Sequence, residues 1–244
     1  MVKLVDTNLN YENIAPYYDA IIGDRTHEIL FLKNLIIKYK PDAKTVLDIG
    51  CGTGEVMSLL GGNMSVTGLD QSPTMLQLAA TKVPSAQLLQ GDMCNFKLDK
   101  QFDVVLCTRD SISQFIELSQ WKQVFARAVQ HLANGGVFIF DYSSIKRLTE
   151  LSNSPSSVVQ FSNGYIETKV AKAPSMLFDW EVEINLKRSE DDYRQIRELI
   201  MQTSFPMVDV IAAAENYFME TVEALDSSGN PASDESDRIY IACC

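Results

Sequence analysis

The chain has 244 residues, 46% of them hydrophobic, which is enough for one α/β domain with a full core. Its 32 acidic residues outnumber the 21 basic ones, and the formal charge of −11 argues against DNA, RNA and anionic membranes as partners. No stretch reaches the length of a transmembrane helix, and the start lacks the apolar core of a signal peptide. We therefore expect a cytoplasmic protein that acts on a small molecule.

The first 42 residues have the spacing of helices that cover a sheet. Apolar side chains recur at helical intervals over residues 12–20 and 26–39, and Pro41 with Asp42 ends the second helix. The predicted apolar face of that helix consists of Ile29, Leu32, Ile36 and Ile37.

A glycine loop follows the first predicted strand, Thr45–Ile49. Gly50, Gly52 and Gly54 predict a tight turn into a helix that leaves backbone N–H groups free for a ligand. The loop lacks the Lys-Ser/Thr pair of a P-loop, and its G-x-G-x-G spacing differs from the dinucleotide pattern. Carboxylates at Asp48 and Glu55 flank the loop and would repel a pyrophosphate. They favour a ligand with positive charge and no phosphate, such as S-adenosylmethionine.

The second predicted strand, Ser65–Asp70, ends in another carboxylate. Asp70 lies 20 residues beyond Gly50, where an acid at a strand end accepts hydrogen bonds from both ribose hydroxyls. Ser72 is a suitable N-cap and Pro73 a suitable first residue for a helix that runs to about Ala80.

The third predicted strand, Ala86–Gln90, leads into Gly91-Asp92-Met93. Here the Asp92 carboxylate can accept from an exocyclic amine, and Met93 can lie against a purine. Together with Asp70, these residues predict an adenosine site.

The remaining core elements follow in order. The fourth strand is predicted at Asp103–Cys107, a helix at Ser119–Leu132 with a stop at residues 133–136, and the fifth strand at Val137–Asp141. Near the end, Pro206–Tyr217 is predicted to be helical, and strands Met219–Leu225 and Arg238–Ala242 flank the polar loop Asp226–Asp237.

Residues 158–203 have the pattern of a separate β-meander. Apolar and polar side chains alternate strictly over Met176–Leu186, and strands at Tyr165–Ala171 and Tyr193–Thr203 flank it. The apolar face of the middle strand consists of Phe178, Trp180, Val182, Ile184 and Leu186. Such a face needs a cover, which either the chain's own core or another subunit would provide.

Five successive motifs resemble those of class I S-adenosylmethionine-dependent methyltransferases over roughly residues 11–142. They are Asp48-Ile-Gly-Cys-Gly-Thr-Gly, Leu69-Asp70, Gly91-Asp92-Met93, Phe102-Asp-Val-Val-Leu106 and Gly135-Gly-Val-Phe-Ile-Phe140. The resemblance implies an α/β fold with a Rossmann-like, seven-stranded, doubly wound sheet and an antiparallel β-meander inserted after strand five. One methyltransferase domain over residues 1–244 would comprise N-terminal cover helices (1–42), a cofactor-binding core (43–142), the inserted meander (158–203), and a C-terminal helix with a closing strand pair (204–244).

Further segments are similar to glycine N-methyltransferase and to aminosugar N,N-dimethyltransferases. They are Tyr11-x-x-x-Ala15-x-x-Tyr18-Asp19, Ile22-Gly23-Asp24-Arg25, Asp110-Ser111 and the meander itself. This likeness favours N-methylation of a small molecule. The acceptor does not follow from it.

The resemblance also implies the roles of individual residues. The backbone of Gly50, Cys51 and Gly52 would run past the methionine part of S-adenosylmethionine, with Asp48 holding its ammonium and Arg25 its carboxylate. Asp70 would bind the ribose, and Asp92 and Met93 would bind the adenine. Gln71 and Thr108 would make further contacts, and Tyr11 and Tyr18 would form a lid over the cofactor. Two alternatives stay open: Arg25 as a solvated residue at a helix start, and the two tyrosines as ordinary core aromatics.

Asp110 is the candidate catalytic residue, because it follows the fourth strand at the ligand-binding edge of the sheet. It would hold an amine acceptor and relay its proton; a helix N-cap is the alternative role.

The five cysteines lack C-x-x-C spacing and the two histidines belong to no cluster, so we expect no metal. O-methylation of a hydroxyl or carboxylate, and a non-catalytic protein that binds the cofactor, remain alternative functions. A nicotinamide-dependent dehydrogenase is disfavoured by the acids around the glycine loop. A homodimer through the meander is a further expectation.

Overall fold

The computed structural model describes residues 11–60, 62, 64–174, 177–189, 192–218 and 222–244. The strands are β1 (Thr45–Ile49), β2 (Ser65–Asp70), β3 (Gln87–Gln90), β4 (Phe102–Cys107), β5 (Leu132–Ser143), β6 (Ser157–Phe161), β7 (Gly164–Lys172), β8 (Leu177–Lys187), β9 (Tyr193–Thr203), β10 (Val222–Leu225) and β11 (Arg238–Cys243). The helices are α1 (Tyr18–Ile22), α2 (Thr26–Tyr39), α3 (Glu55–Leu60), α4 (Pro73–Lys82), α5 (Leu118–His131), α6 (Ile145–Asn153) and α7 (Met207–Glu215).

The main sheet has seven strands in the order β10-β11-β5-β4-β1-β2-β3. Strands β1 to β5 pair in parallel, whereas β11 runs antiparallel to β5 and β10 antiparallel to β11. The predicted Rossmann-like α/β fold and its closing strand pair are therefore confirmed. Since the order reverses between β1 and β4, the ends of these two strands form a crevice of the kind that binds ligands in such sheets.

Helices cover both faces of this sheet. On one face α2, α3 and α4 pack against alternate residues such as Val46, and on the other α5 and α7 pack against Leu47 and Ile49. The predicted face of α2 needs one correction: Ile37 is 55% exposed, whereas Leu35 is 4% exposed and takes the core position. Residues 219–221, which fall in the predicted strand Met219–Leu225, lie outside the described residues.

The boundary between α5 and β5 differs from the prediction. The helix ends at His131, and β5 begins at once with Leu132, which pairs with Phe102. The register then shifts between Phe102 and Val104, and Gly135 takes a φ of 67°. Residues 133–136 therefore form an irregular strand start and not a separate stop, because the glycines allow the backbone to bulge without leaving the sheet.

The inserted region is a second antiparallel sheet in the order β6-β7-β8-β9. The sequence interpretation missed its first strand, β6, and the helix α6 that precedes it. Ser144 caps α6 by accepting a hydrogen bond from the backbone N–H of Arg147, and Leu148 is its buried residue. Ile145, Leu148 and Leu151 recur at helical spacing, so the sequence did carry a signal for this helix, although over only nine residues.

The chain's own N-terminal segment covers the apolar face of the meander. Ile14 is fully buried against residues of β7, β8 and β9, and Tyr11, Tyr17, Tyr18 and Ile21 pack around the same cluster. The backbone N–H of Tyr11 also donates a hydrogen bond to the carboxylate of Glu198 on β9. The face therefore needs no second subunit, and the homodimer stays a prediction that this face does not support.

No helix among the described residues is long and apolar enough to cross a membrane.

Candidate cofactor and acceptor site

The glycine loop between β1 and α3 folds around the end of β2. Gly50, Gly52 and Gly54 all have positive φ, and the backbone N–H groups of Gly50 and Cys51 donate to the carbonyl of Leu69. A Cβ on Gly50 would lie 2.8 Å from Oγ of Ser111, whereas a Cβ on Gly52 would meet no atom within 4 Å. The loop is thus in close contact with the rest of the protein at Gly50, whereas Gly52 borders empty space.

A cavity of about 440 Å³ opens in front of this loop. Eight of the predicted cofactor residues line it: Tyr11, Tyr18, Gly50, Gly52, Asp70, Gln71, Asp92 and Met93. Asp70 also braces the loop, since it accepts hydrogen bonds from the N–H groups of Gly52 at 2.8 Å and Ser72 at 2.9 Å. The residues predicted to bind ribose and adenine therefore line a single cavity.

A smaller cavity, of about 30 Å³, continues from the loop toward the end of β4. Asp48, Cys51 and Thr108 line it, so the structure brings these three predicted residues beside the others. Asp48 is 2% exposed, and its Oδ2 has no hydrogen-bond partner in the protein. Burial raises the pKa of Asp48 to about 7; the charge of Asp70 adds to the rise, and Arg109 opposes it. A buried carboxylate without a partner suits a cationic ligand group.

A second large cavity, of about 420 Å³, lies on the other side of the two N-terminal tyrosines. Tyr11, Tyr18 and Arg109 line both large cavities and so form their common wall. The rest of its lining comes from α1, α2, the ends of β4 and β5, α6, the meander and the C-terminal segment, and includes Ile21, Arg25, Glu28, Asp110, Ser143, Arg147, Leu148, Leu151, Thr168, Val170, Trp180, Gln202, Asp237 and Arg238.

The end of β4 turns sharply at Arg109 and Asp110, two non-glycine residues with φ of 63° and 61°. The buried carboxylate of Asp141 holds this turn, because it accepts from the backbone N–H of Arg109 at 2.9 Å and of Asp110 at 3.1 Å. Left-handed backbone at such residues is costly and persists only where the surroundings fix it. The turn directs Arg109 to the common wall and places Asp110 in the second cavity.

Asp110 is part of a charge network and is not a helix cap. Its carboxylate accepts from the N–H of Ser143 at 2.5 Å, the hydroxyl of Ser143 at 3.1 Å and the guanidinium of Arg238 at 2.7 Å. The short 3₁₀ turn Ile112–Gln114 that follows begins after Ser111 and has no side-chain cap. The predicted acceptor residue thus lies in the second cavity with several of its lone pairs already engaged.

The structure places Arg25 near Tyr11 and Tyr18 in the second cavity, but not in the two cavities beside the glycine loop. Its guanidinium pairs with Glu28 at 2.8 Å, and the residue lines the second cavity only. Both readings of the tyrosines apply, because Tyr11 and Tyr18 pack edge to face at 5.7 Å in the meander cluster and also line both cavities. The adjacent Asp19 anchors α1 to the glycine loop by accepting from the hydroxyl of Thr53 at 2.6 Å.

Sequence reasoning placed Leu69, Gly91 and Ser111 in motifs without assigning them a role, and it assigned no cofactor role to five further residues of the cofactor-side cavity. These are Met75, Arg109, Gln114, Phe115 and Gln120. Arg109 carried a usable signal, as a charged residue directly after a buried strand at the ligand-binding edge. Phe115 and Gln120 carried no such sequence signal, because they lie outside every motif.

Among the described residues, no group of three or more His, Cys, Asp or Glu side chains has an arrangement suited to a metal ion.

Comparison with known proteins finds a matching domain and several similar proteins. A family model described as a methyltransferase domain matches residues 46–136. A putative methyltransferase of Geobacillus sp. is 30% identical over 151 residues, which cover 59% of this chain and 61% of the relative. The dTDP-3-amino-3,6-dideoxy-alpha-D-glucopyranose N,N-dimethyltransferase of Streptomyces fradiae is 31% identical over 133 residues, which cover 52% of each protein. The chain thus spans about half to three fifths of the length of these curated relatives.

The fold likeness extends over the whole chain. An S-adenosylmethionine-bound amino pentose methyltransferase from Micromonospora echinaspora superposes with a TM-score of 0.78 at 21% identity, covering 98% of this chain and 99% of that one. At this identity the likeness shows the fold alone. The glycine loop, however, lies inside the segment that the family model matches. Residues 46–136 therefore match a methyltransferase domain.

Proposed function

We propose that this protein transfers a methyl group from S-adenosylmethionine to the nitrogen of a small-molecule amine. One observation carries the proposal: two cavities of similar size, about 440 and 420 Å³, meet at a wall formed by Tyr11, Tyr18 and Arg109. Methyl transfer needs two substrates held face to face across a short gap, with the acceptor in line with the breaking bond.

The first cavity fits the cofactor in its chemistry. The unpartnered, buried Oδ2 of Asp48 would hold the ammonium, and the open space at Gly52 leaves room for the ligand to approach the backbone. Asp70 would accept from the ribose hydroxyls, and Asp92 and Met93 would contact the adenine. When bound, the cofactor supplies an electrophilic methyl group on its sulfonium.

The second cavity suits a polar acceptor. The charged side chains of its lining are Glu28, Asp110 and Asp237 on the acidic side and Arg25, Arg109, Arg147 and Arg238 on the basic side. The carboxylate of Asp110 would attract an amine, and its free lone pairs would orient the amine and take up the proton that it must lose before attack. Positioning supplies the rest of the acceleration, so no covalent nucleophile is required.

The names of the relatives support nitrogen as the acceptor atom. The Streptomyces fradiae relative is an N,N-dimethyltransferase of an amino sugar, and the Saccharopolyspora spinosa relative, at 30% identity, is an N,N-dimethyltransferase of another. We propose the same reaction type here, with residues 43–142 as the cofactor-binding part. Residues 1–42, 158–203 and 204–244 would enclose the acceptor, since each contributes to the second cavity.

The test is a transfer assay with the full chain and methyl-labelled S-adenosylmethionine. The acceptor panel contains free and nucleotide-linked amino sugars, simple amino acids, and matched sugars with a hydroxyl in place of the amine. We expect S-adenosylhomocysteine and label on an amine nitrogen, and neither product with Asp70→Ala. Label only on hydroxyl or carboxylate oxygen would contradict N-methylation. Tight cofactor binding without turnover on any acceptor would favour the non-catalytic alternative.

A further inference from the structure

We propose that Arg109, and not Arg25, binds the carboxylate of the cofactor's methionine part. The inference rests on the proposed cofactor and departs from the residue that the family resemblance implies. Its basis is the position, the charge and the unfilled hydrogen-bonding capacity of the Arg109 guanidinium.

The position of Arg109 matches what an α-amino acid group requires. Such a group carries an ammonium and a carboxylate on one carbon, so a binding site needs an anion and a cation a few ångströms apart. Asp48 and Arg109 line the same small cavity beside Gly52, and the charge of Arg109 acts on the Asp48 carboxylate. Arg25 lines neither this cavity nor the larger one in front of the loop.

The guanidinium of Arg109 is held on one side and free on the other. Its NH1 donates to Oε2 of Glu55 at 2.5 Å, whereas its NH2 is buried and has no hydrogen-bond partner. A buried donor without a partner costs free energy unless a ligand accepts from it. The cofactor carboxylate is the acceptor that a planar guanidinium binds best.

The backbone beneath Arg109 is fixed as well. Asp141 accepts from its N–H at 2.9 Å and holds the residue at a φ of 63°. Glu55, the first residue of α3, then sets the side chain against the glycine loop. Arg25 also has a buried nitrogen without a partner, its Nε, but it pairs with Glu28 one turn along α2, is about one third exposed and lines only the second cavity.

Two ligands that differ only in the carboxylate test the assignment. Dissociation constants for S-adenosylmethionine and for decarboxylated S-adenosylmethionine are measured by calorimetry on the wild type, Arg109→Gln, Arg109→Lys and Arg25→Gln. We expect the wild type to prefer the carboxylated ligand by roughly 10- to 100-fold, the range for a charge-assisted hydrogen bond. In Arg109→Gln the ratio of the two dissociation constants should fall to about one, because neither ligand would then be favoured. In Arg109→Lys the ratio should be intermediate, and in Arg25→Gln it should stay as in the wild type.

The ratio of the two dissociation constants distinguishes loss of carboxylate recognition from a structural change of the whole site, because a distorted site would lower the affinity for both ligands alike. Arg109→Lys keeps the charge and serves if the glutamine variant does not fold. Loss of the preference in Arg25→Gln, with its retention in the Arg109 variants, would overturn the inference in favour of Arg25. A wild type that binds both ligands equally would also overturn it. A wild type that binds neither would refute the proposed cofactor instead.

Discussion

Arg238, at the start of the last strand, donates to the carboxylate of Asp110 at 2.7 Å. The same guanidinium reaches Asp141 at 2.5 Å, so one cation from β11 ties together the ends of β4 and β5. The closing strand pair thereby takes part in the acceptor cavity as well as completing the sheet.

The Asp110→Asn substitution tests the acceptor role directly. It should leave the S-adenosylmethionine affinity unchanged, because Asp110 does not line the cofactor-side cavities. The rate should fall by roughly 10²–10⁴, as positioning and proton removal are lost. The matched control is Ser143→Ala, which removes one hydrogen bond to Asp110 but keeps its charge. Wild-type turnover in Asp110→Asn would leave the residue only a structural role.

The charge network itself predicts a pH-dependent stability defect. Arg238→Met leaves two carboxylates close together without their cation and should lower the free energy of unfolding by about 3–5 kcal/mol at pH 8. Burial already raises the pKa of Asp141 in the folded state. Without Arg238 the pKa of Asp141 in the folded state should rise further. Protonation of Asp141 then stabilises the variant fully at pH values below the pKa of the unfolded state, and this stabilisation is lost as pH rises through the pKa of the folded state. Urea denaturation should therefore show a smaller defect at pH 5.

The control for that experiment is Arg147→Met, an arginine of the same cavity whose acid partner, Asp237, lies 4.0 Å away. We expect its loss to cost less than about 1 kcal/mol at either pH. Equal defects in the two variants would show that Arg238 acts only as an ordinary surface charge.

Asp48 predicts a proton-linked cofactor affinity. Its pKa of about 7 means that the apo protein binds a proton there which a cationic ligand must displace. Between pH 5 and 7 the wild-type affinity for S-adenosylmethionine should rise by about tenfold per pH unit at the acid end, and that of Asp48→Asn should stay weak and flat. Calorimetry in two buffers of different ionisation enthalpy measures the released proton. A pH-independent wild type would contradict the ammonium assignment.

The same group affects the stability of the apo protein with a defined sign. A carboxyl whose folded pKa is raised stabilises the fold below its unfolded pKa, near 4, and this contribution disappears as pH rises through about 7. Asp48→Asn should therefore make the apo protein more stable than the wild type at pH 8, by roughly 2–4 kcal/mol. Near pH 4 the two should differ little.

Gly52 allows the ligand space to be tested separately from backbone strain. Gly52→Ala should cost about 1–2 kcal/mol of stability because its φ is 53°, yet it should weaken cofactor binding more than tenfold by filling the cavity. Gly229→Ala, at φ of 83° and outside the cofactor-side cavities, is the matched control. It should show a similar stability loss and unchanged affinity. Equal affinities in both variants would place the cofactor elsewhere.

Trp180 tests the contribution of the meander to acceptor binding. It lines the second cavity only, so Trp180→Ala should raise the KM for the acceptor by roughly tenfold, through lost apolar contact, and leave the cofactor affinity unchanged. Leu199→Ala is the control, since Leu199 is 57% exposed on the neighbouring strand and lines neither large cavity. A change in cofactor affinity alone would argue against an acceptor role for the meander.

The cofactor side of the molecule could be predicted because its residues follow buried strands directly. Asp48, Asp70 and Asp92 occur at or just after the ends of β1, β2 and β3, and neighbouring parallel strands bring their ends to one edge of the sheet. The short distance in sequence between strand and side chain leaves little freedom. This explains nine of the eleven predicted cofactor residues that line the two cavities beside the loop. Tyr11 and Tyr18 follow no strand and were inferred from the family resemblance, as was Arg25, which lines neither cavity.

The acceptor side could not be predicted to the same extent, because it depends on contacts between distant segments. Nothing in the sequence indicates that Arg109 and Asp110 adopt left-handed backbone, which the carboxylate of Asp141 holds through both backbone N–H groups. Likewise, the pattern of β8 showed an apolar face but not its cover, which is Ile14 from the other end of the chain.

The hydrogen bond between Glu198 and Tyr11 gives the two cavities a mechanical connection. Glu198 belongs to the sheet that borders the acceptor cavity, and Tyr11 lines both cavities, so this bond joins the meander to a residue that both ligands would contact. Occupancy of one cavity should then alter affinity at the other. By thermodynamic reciprocity, the factor by which an acceptor changes cofactor affinity equals the factor by which the cofactor changes acceptor affinity. We therefore expect the cofactor and the acceptor to change each other's affinity by one common factor, with Tyr11 as a residue that both would contact.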